Sequence, residues 1–189
     1  MFALDHPLPG ILLKTRDGQH TLLQDHLGER PTVVLAMRYY GCLPCQHYLL
    51  ALHERRDQFA GRGVDVVVVG VAAGFQADHL ASTYGIEFPL LLDPDQNLYR
   101  ALDIPRLRTV DFLRWRTWTT YLPLFWRRYV TRTVDGPKQG RIVGDPAQLP
   151  GIAFIENGVV RWIHRGLALG DYPPVDELLT RLDEVLPAA

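Results

Sequence analysis

Short apolar runs and stretches of helical period alternate along the chain. Thr32-Val33-Val34-Leu35-Ala36-Met37 and Val64-Asp65-Val66-Val67-Val68-Val69-Gly70-Val71 are almost unbroken β-branched or aliphatic runs. Such runs read as strands covered on both faces of a mostly parallel sheet, the first spanning 32–38. Before them, residues 11–15 and 19–23 form two shorter strand patterns around Asp17-Gly18, a hairpin signal. Leu22 to Gly28 suits a short helical turn. Helical spacing marks 44–60, ending near Gly61 or Gly63, and 76–84. A strand pattern covers Phe88 to Leu92, and Asp93-Pro94-Asp95 closes it and caps a helix over 95–102. Ile152 to Glu156 and Val159 to Ile163 flank Asn157-Gly158, the favoured two-residue hairpin turn. After Pro173-Pro174, Val175, Leu178, Leu179, Leu182 and Val185 fall on one face of a last helix.

The order is thus β-β, then β-α-β-α-β-α, then a hairpin and a helix. The length suits a single domain over 1–189. With 20 basic and 21 acidic residues, net charge −1, the chain as a whole does not advertise a polyanion partner. No apolar run approaches a membrane span, and Met1-Phe2-Ala3-Leu4-Asp5-His6 lacks the basic-then-apolar layout of a secretory signal. A cytoplasmic location is the expectation. Gly70 and Gly74 do not make a dinucleotide fingerprint.

The chemistry concentrates at Arg38-Tyr39-Tyr40-Gly41-Cys42-Leu43-Pro44-Cys45, which holds both cysteines of the chain. A C-x-x-C where a buried strand passes into a helix is where thioredoxin-like proteins keep a redox centre. Cys42 there faces the free N–H groups and positive end of the helix, which favour the reactive thiolate. Pro44 suits the first turn, where its missing N–H costs nothing. Zinc would need His47 or His53, with no second C-x-x-C available. Arg38, at the end of the strand, stabilises a thiolate or orients a substrate oxygen, or is a surface arginine of little consequence. His47 is either a proton donor or a solvated helix residue.

On these motifs, together with Leu13 to Gly18, Tyr84-Gly85-Ile86-Glu87-Phe88-Pro89, Leu91-Leu92-Asp93-Pro94, Gly144 to Leu149 and Pro173 to Leu179, the chain resembles the peroxiredoxin-like branch of the alkyl hydroperoxide reductase / thiol-specific antioxidant family. The resemblance implies a thioredoxin-like α/β fold with an added N-terminal β-hairpin and an inserted segment before the closing hairpin. It implies that Cys42 attacks and Cys45 resolves, on a peroxide or on a disulfide substrate, and that a thioredoxin-type donor or glutathione returns the electrons. No cofactor is implied, and a homodimer is open. Pro150 takes the place of the cis-proline that packs against the redox pair in thioredoxins; an ordinary trans proline at a strand start is the alternative. The family motif P-x-x-x-T/S-x-x-C is not kept: Tyr39 stands three before Cys42 and Leu35 seven before it. The resemblance thus supports a redox thiol while the departure weakens fast peroxide turnover, and a non-enzymatic redox sensor or binding protein that reports the Cys42–Cys45 state is the alternative to an enzyme.

Segment 105–141 is unlike the rest. Arg106, Arg108, Arg114, Arg116, Arg127, Arg128, Arg132, Lys138 and Arg141 face only Asp111 and Asp135, and aromatics are interleaved with them. Phe112, Trp115, Thr119, Leu122 and Trp126 fall on one helical face, broken at Pro123. A helix packed on the core, a lid over the thiols carrying Trp115 and Trp118, and a membrane-surface or partner-binding helix are the three roles open to it. Nucleic acid is not an expected partner, and a membrane surface is not the favoured one.

Overall fold

The computed structural model describes residues 5, 7–107, 122–123, 126 and 139–185. They build one seven-stranded mixed sheet in the order β2-β1-β5-β4-β3-β6-β7. The strands are β1 (Leu12–Lys14), β2 (His20–Leu22), β3 (Thr32–Met37), β4 (Asp65–Gly70), β5 (Leu90–Leu92), β6 (Gly151–Glu156) and β7 (Val159–Arg165). The centre is parallel, with β4 pairing β3 and β5. Antiparallel pairs close both flanks, β5–β1–β2 on one side and β3–β6–β7 on the other.

Alternation along the central strands splits the core in two. Val33, Leu35, Met37, Val66, Val68, Ile152 and Phe154 point to one face, where α1 (Leu43–Glu54), α2 (Arg56–Ala60), α3 (Gly74–Tyr84) and α5 (Val175–Val185) supply Leu49, Leu52, Phe59, Leu80, Leu178 and Leu182. Val34, Ala36, Val67, Val69, Ala153 and Ile155 point to the other, covered by Leu98, Tyr99 and Leu102 from α4 (Asn97–Ala101) and its end, with Ile11 and Leu23. Strands buried on both faces need no polar alternation, which explains their continuous apolar runs.

Each turn signal finds its structure. Gly18 adopts φ 90° in the first hairpin, and Asn157 and Gly158 both take positive φ between β6 and β7. Leu23–His26 form a 3₁₀ turn, the short helix expected there. Asp93 is fully buried and its two carboxylate oxygens accept from the Asn97 and Leu98 N–H groups at 2.8 Å each, so it satisfies the first turn of α4. The helix expected over 44–60 is two helices: Arg55 leaves helical geometry at φ −105°, ψ 15°, and α2 restarts after it. Neither glycine nor proline marks that break in the sequence. Most of the basic aromatic segment, including Trp115 and Trp118, lies outside the described residues. No helix among the described residues is long and apolar enough to cross a membrane.

Candidate active site

β3 stops at Met37, and the next five residues carry the chain into α1. Cys42 is the residue just before the helix, in extended geometry, with Pro44 in the first turn. The turn is closed by Cys42 N–H to Tyr39 O at 3.1 Å and Gln46 N–H to Cys42 O at 2.9 Å. Both thiols are free and buried, Cys42 at 1 % and Cys45 at 0 % exposure. The Cys45 thiol donates to Cys42 Sγ at 3.0 Å.

Arg38 is buried too, at 5 % exposure, and acts as a three-point bracket. Its Nη1 reaches Cys42 Sγ at 3.6 Å, its Nε donates to Gln148 O at 2.9 Å, and its Nη2 donates to Pro146 O. Its guanidinium also lies over the Tyr39 ring, 5.6 Å from the centroid. The strand end, the C-x-x-C and the approach to β6 are thereby tied together.

The two thiols are pushed apart electrostatically. Burial opposes the Cys42 thiolate, but hydrogen bonds from the Cys45 thiol and backbone N–H and the Arg38 charge outweigh it, bringing Cys42 down to about 7. Burial and the neighbouring Cys42 push Cys45 well above the usual thiol range. Tyr39 is pushed up to about 12, by burial first and then by Cys42. One thiol is poised as a thiolate near neutral pH while the other keeps its proton.

Two glutamines hold the loop from outside. Gln139 accepts from Leu43 N–H at 3.1 Å and donates to Tyr39 Oη at 2.9 Å and Gly41 O at 3.0 Å. Gln76, on α3, accepts from Gly41 N–H at 3.1 Å and donates to Arg141 O at 2.7 Å. Gly140 N–H donates to Gly41 O at 2.8 Å. A Cβ on Gly41 would sit 2.6 Å from Gln76 Nε2 and 3.1 Å from Arg141 O, so a side chain there would push Gln76 out of its hydrogen bonds.

The residues expected at the site divide accordingly. Cys42, Cys45, Pro44 and Arg38 converge, and Arg38 is not the surface arginine that was its alternative. Pro150 is buried at the start of β6, but its peptide bond is trans, so the cis geometry implied by the resemblance is not found. Its carbonyl accepts from Gly166 N–H at 2.9 Å, and its ring lies close against Gly166. His47 is half-buried, beside Pro44 and Tyr172 on a groove of about 570 Å³. Among the described residues no three His, Cys, Asp or Glu side chains gather as a metal site. Sequence reasoning passed over Gln76, Gln139, Gln148 and Tyr172. Single glutamines in polar stretches carry no spacing signal, and Gln148 contributes only its backbone carbonyl to the arginine.

A parallel β-α-β centre, an antiparallel closing hairpin and a dithiol at a helix N-terminus define a thioredoxin-like protein, and the leading hairpin β1–β2 is the addition seen in peroxiredoxins. The chain belongs to the AhpC/TSA family, whose profile matches residues 4–133. It is 28 % identical over 104 residues to the thiol-disulfide oxidoreductase ResA of Bacillus subtilis, covering 53 % of this chain and 56 % of that protein. It is 25 % identical over 171 residues to the chloroplastic thioredoxin-like protein AAED1 of Arabidopsis thaliana, covering 86 % and 66 %. The chain thus spans less than two thirds of the length of these relatives. The fold is similar to that of the bacterioferritin comigratory protein of Xanthomonas campestris, studied for alkyl peroxide reduction, with TM-score 0.62 at 16 % identity over 92 % of this chain and 90 % of the other.

Proposed function

We propose that this protein is a thiol-dependent peroxide reductase whose working pair is Cys42 and Cys45. The observation that carries the reading is the Cys42 sulfur, 3.0 Å from Cys45 Sγ and 3.6 Å from Arg38 Nη1, with its thiolate favoured near neutral pH. The Cys42 thiolate attacks the outer peroxide oxygen. The O–O bond breaks, Cys42 becomes a sulfenic acid, and the alkoxide leaves as the alcohol after taking a proton. Arg38 stabilises the thiolate and faces the oxygen that carries the developing charge. Cys45 then attacks the Cys42 sulfur, water departs, and a disulfide remains. An external dithiol such as a thioredoxin, or glutathione, reopens it. Those donors suit a reducing compartment such as the cytoplasm.

Pro44 keeps the first turn of α1 rigid, and Pro150, two residues after the Gln148 carbonyl that Arg38 holds, leads into β6. Disulfide reduction is the second reading, favoured by the C-x-x-C itself and by the Tyr39 that stands where the family motif has a hydroxyl residue of threonine or serine type. Peroxide consumption with hydrogen peroxide and with an organic hydroperoxide, each coupled to a thioredoxin reducing system, decides between them. Turnover of either peroxide that is abolished by Cys42→Ser supports the first reading. Reduction of a protein disulfide with no peroxide turnover replaces it by the second.

A further inference from the structure

Residues 166–174 form the strap that links β7 to α5. The strap is fixed by Gly166 N–H to Pro150 O at 2.9 Å, by Leu167 N–H to Asp171 Oδ2 at 2.8 Å, and by His164 Nε2 against Asp171 O at 3.1 Å. It delivers Tyr172 onto α1, where the ring stacks on Tyr48 with centroids 4.2 Å apart and planes 7° from parallel. The ring packs against the same apolar cluster that contains Cys42 and Cys45. Its hydroxyl oxygen is buried and, among the described residues, has no partner in hydrogen-bond geometry. A buried hydroxyl without a protein partner is costly, so it is ready to donate wherever an acceptor comes within reach.

The Tyr48 ring on which it stacks stands one helical turn beyond Cys45 on α1; burial and Cys42 oppose the Cys45 thiolate, and Arg38 and the phenol favour it. Burial first, and then Cys45, keep the phenol itself protonated well beyond the usual range, so it serves as a donor and not as a base. In the dithiol state the Cys45 proton is directed at Cys42 Sγ.

We propose that Tyr172 is a catalytic residue of the resolving step, donating a hydrogen bond from its hydroxyl to the Cys45 sulfur as that sulfur gives up its proton. This rests on Cys45 being the resolving thiol. The Cys45–Cys42 S–S bond forms while the S–O bond of the Cys42 sulfenic acid breaks. The departing hydroxide takes the Cys45 proton and leaves as water. Tyr172 keeps its own proton throughout and steadies the negative charge that passes over Cys45. In the reverse direction it steadies Cys45 as the leaving thiolate when a reductant attacks Cys42.

The resolving step is measurable without peroxide. 5,5′-Dithiobis(2-nitrobenzoate) caps Cys42 as a mixed disulfide with release of one thionitrobenzoate, and attack by Cys45 releases a second, read by absorbance. Tyr172→Phe keeps the ring and its stack, and since the hydroxyl lacks a partner in the dithiol state the variant melts where wild type does. The expected result is a second release slowed by about tenfold at neutral pH, the size of one hydrogen bond to a charged sulfur. Its pH midpoint shifts upward and the first release is unchanged. A second release within about twofold of wild type, or slowed equally at every pH, overturns the role, since a packing defect would not move the midpoint. A wild-type protein that releases only one equivalent overturns it as well, along with the resolving role of Cys45. A wild-type protein that releases two equivalents yet consumes no peroxide overturns the peroxide reading while leaving Tyr172 in place.

Discussion

Replacing Arg38 by methionine keeps the stem and removes the charge, and the consequence is calculable from the site. Two unit charges 3.6 Å apart attract by about 4.6 kcal/mol at an effective dielectric of about 20. At about 1.4 kcal/mol per pKa unit, that sets a ceiling of about three units on what Arg38 contributes to the Cys42 thiolate. The net depression is smaller, from 9.0 to about 7, because burial opposes it. A loss of two of those three units returns Cys42 to the ordinary 9.0, with the Cys45 hydrogen bonds alone working against burial. At pH 7 the thiolate fraction then falls from about one half to about one in a hundred, a loss of roughly fiftyfold. A more basic thiolate is a better nucleophile, with a Brønsted slope near 0.4–0.5, which returns about eightfold. The net loss from titration alone is therefore only about sixfold at pH 7, and in alkali it reverses into a gain of about eightfold. Any deficit that persists above the new midpoint measures Arg38 as an oxyanion partner rather than as a thiolate stabiliser. The assay is the pH profile of iodoacetamide alkylation at Cys42, mapped by mass, beside the pH profile of peroxide consumption. The variant leaves the Pro146 and Gln148 carbonyls without their donor, at about 1–3 kcal/mol each, so urea melts accompany the kinetics. A Cys42 midpoint in Arg38→Met within half a unit of the wild-type value near 7 refutes the electrostatic account.

Further expectations follow the same lines. In wild type, Cys42 alkylation should fall as pH drops through about 7, and Cys45 should stay unlabelled there; preferential Cys45 labelling reverses the assignment. Mild oxidation should convert the 3.0 Å sulfur contact into a disulfide reversible by dithiothreitol, seen in intact mass, whereas Cys45→Ser should accumulate sulfinic acid on Cys42. Gln76→Ala and Gln139→Ala should each lower stability by about 1–3 kcal/mol in urea, because each strands a buried backbone partner of Gly41 or Leu43. Leu178→Ala, a fully buried residue of α5, should lower it by about 2–5 kcal/mol, and a smaller loss would mean that α5 is not part of the cooperative core.

The sheet and its turns were legible because periodicity and turn chemistry are local. Val66 to Val69 need only neighbours on both faces to read as a central strand, and Asn157-Gly158 needs only its own φ preferences. The dithiol was legible for the same reason: strand, loop and helix start are contiguous from Thr32 to Glu54. The rest of the site is assembled across sequence distance. Arg38 was visible as a charge near the motif, but its burial depends on two carbonyls more than a hundred residues later. Gln76, Gln139 and Tyr172 arrive from a helix, a loop and a strap with no motif of their own. The break at Arg55 has no glycine or proline to announce it in the sequence. Pro150 takes the trans bond that is the default before proline, one of the two geometries the sequence left open.

The arginine bracket has a consequence for how the protein matures. Arg38 and its carbonyl partner at Gln148 are separated by 110 positions, and β6, the strand that follows that partner, docks directly on β3. A nascent chain emerging from the ribosome carries Cys42 long before residue 146 exists. Until then the thiol lacks the guanidinium in its folded place and titrates as an ordinary cysteine, mostly protonated at neutral pH. Long-range pairing of this kind is also slow to form. Reactivity at Cys42 is therefore switched on by completion of the sheet, and the growing polypeptide passes its most vulnerable interval with its nucleophile unarmed.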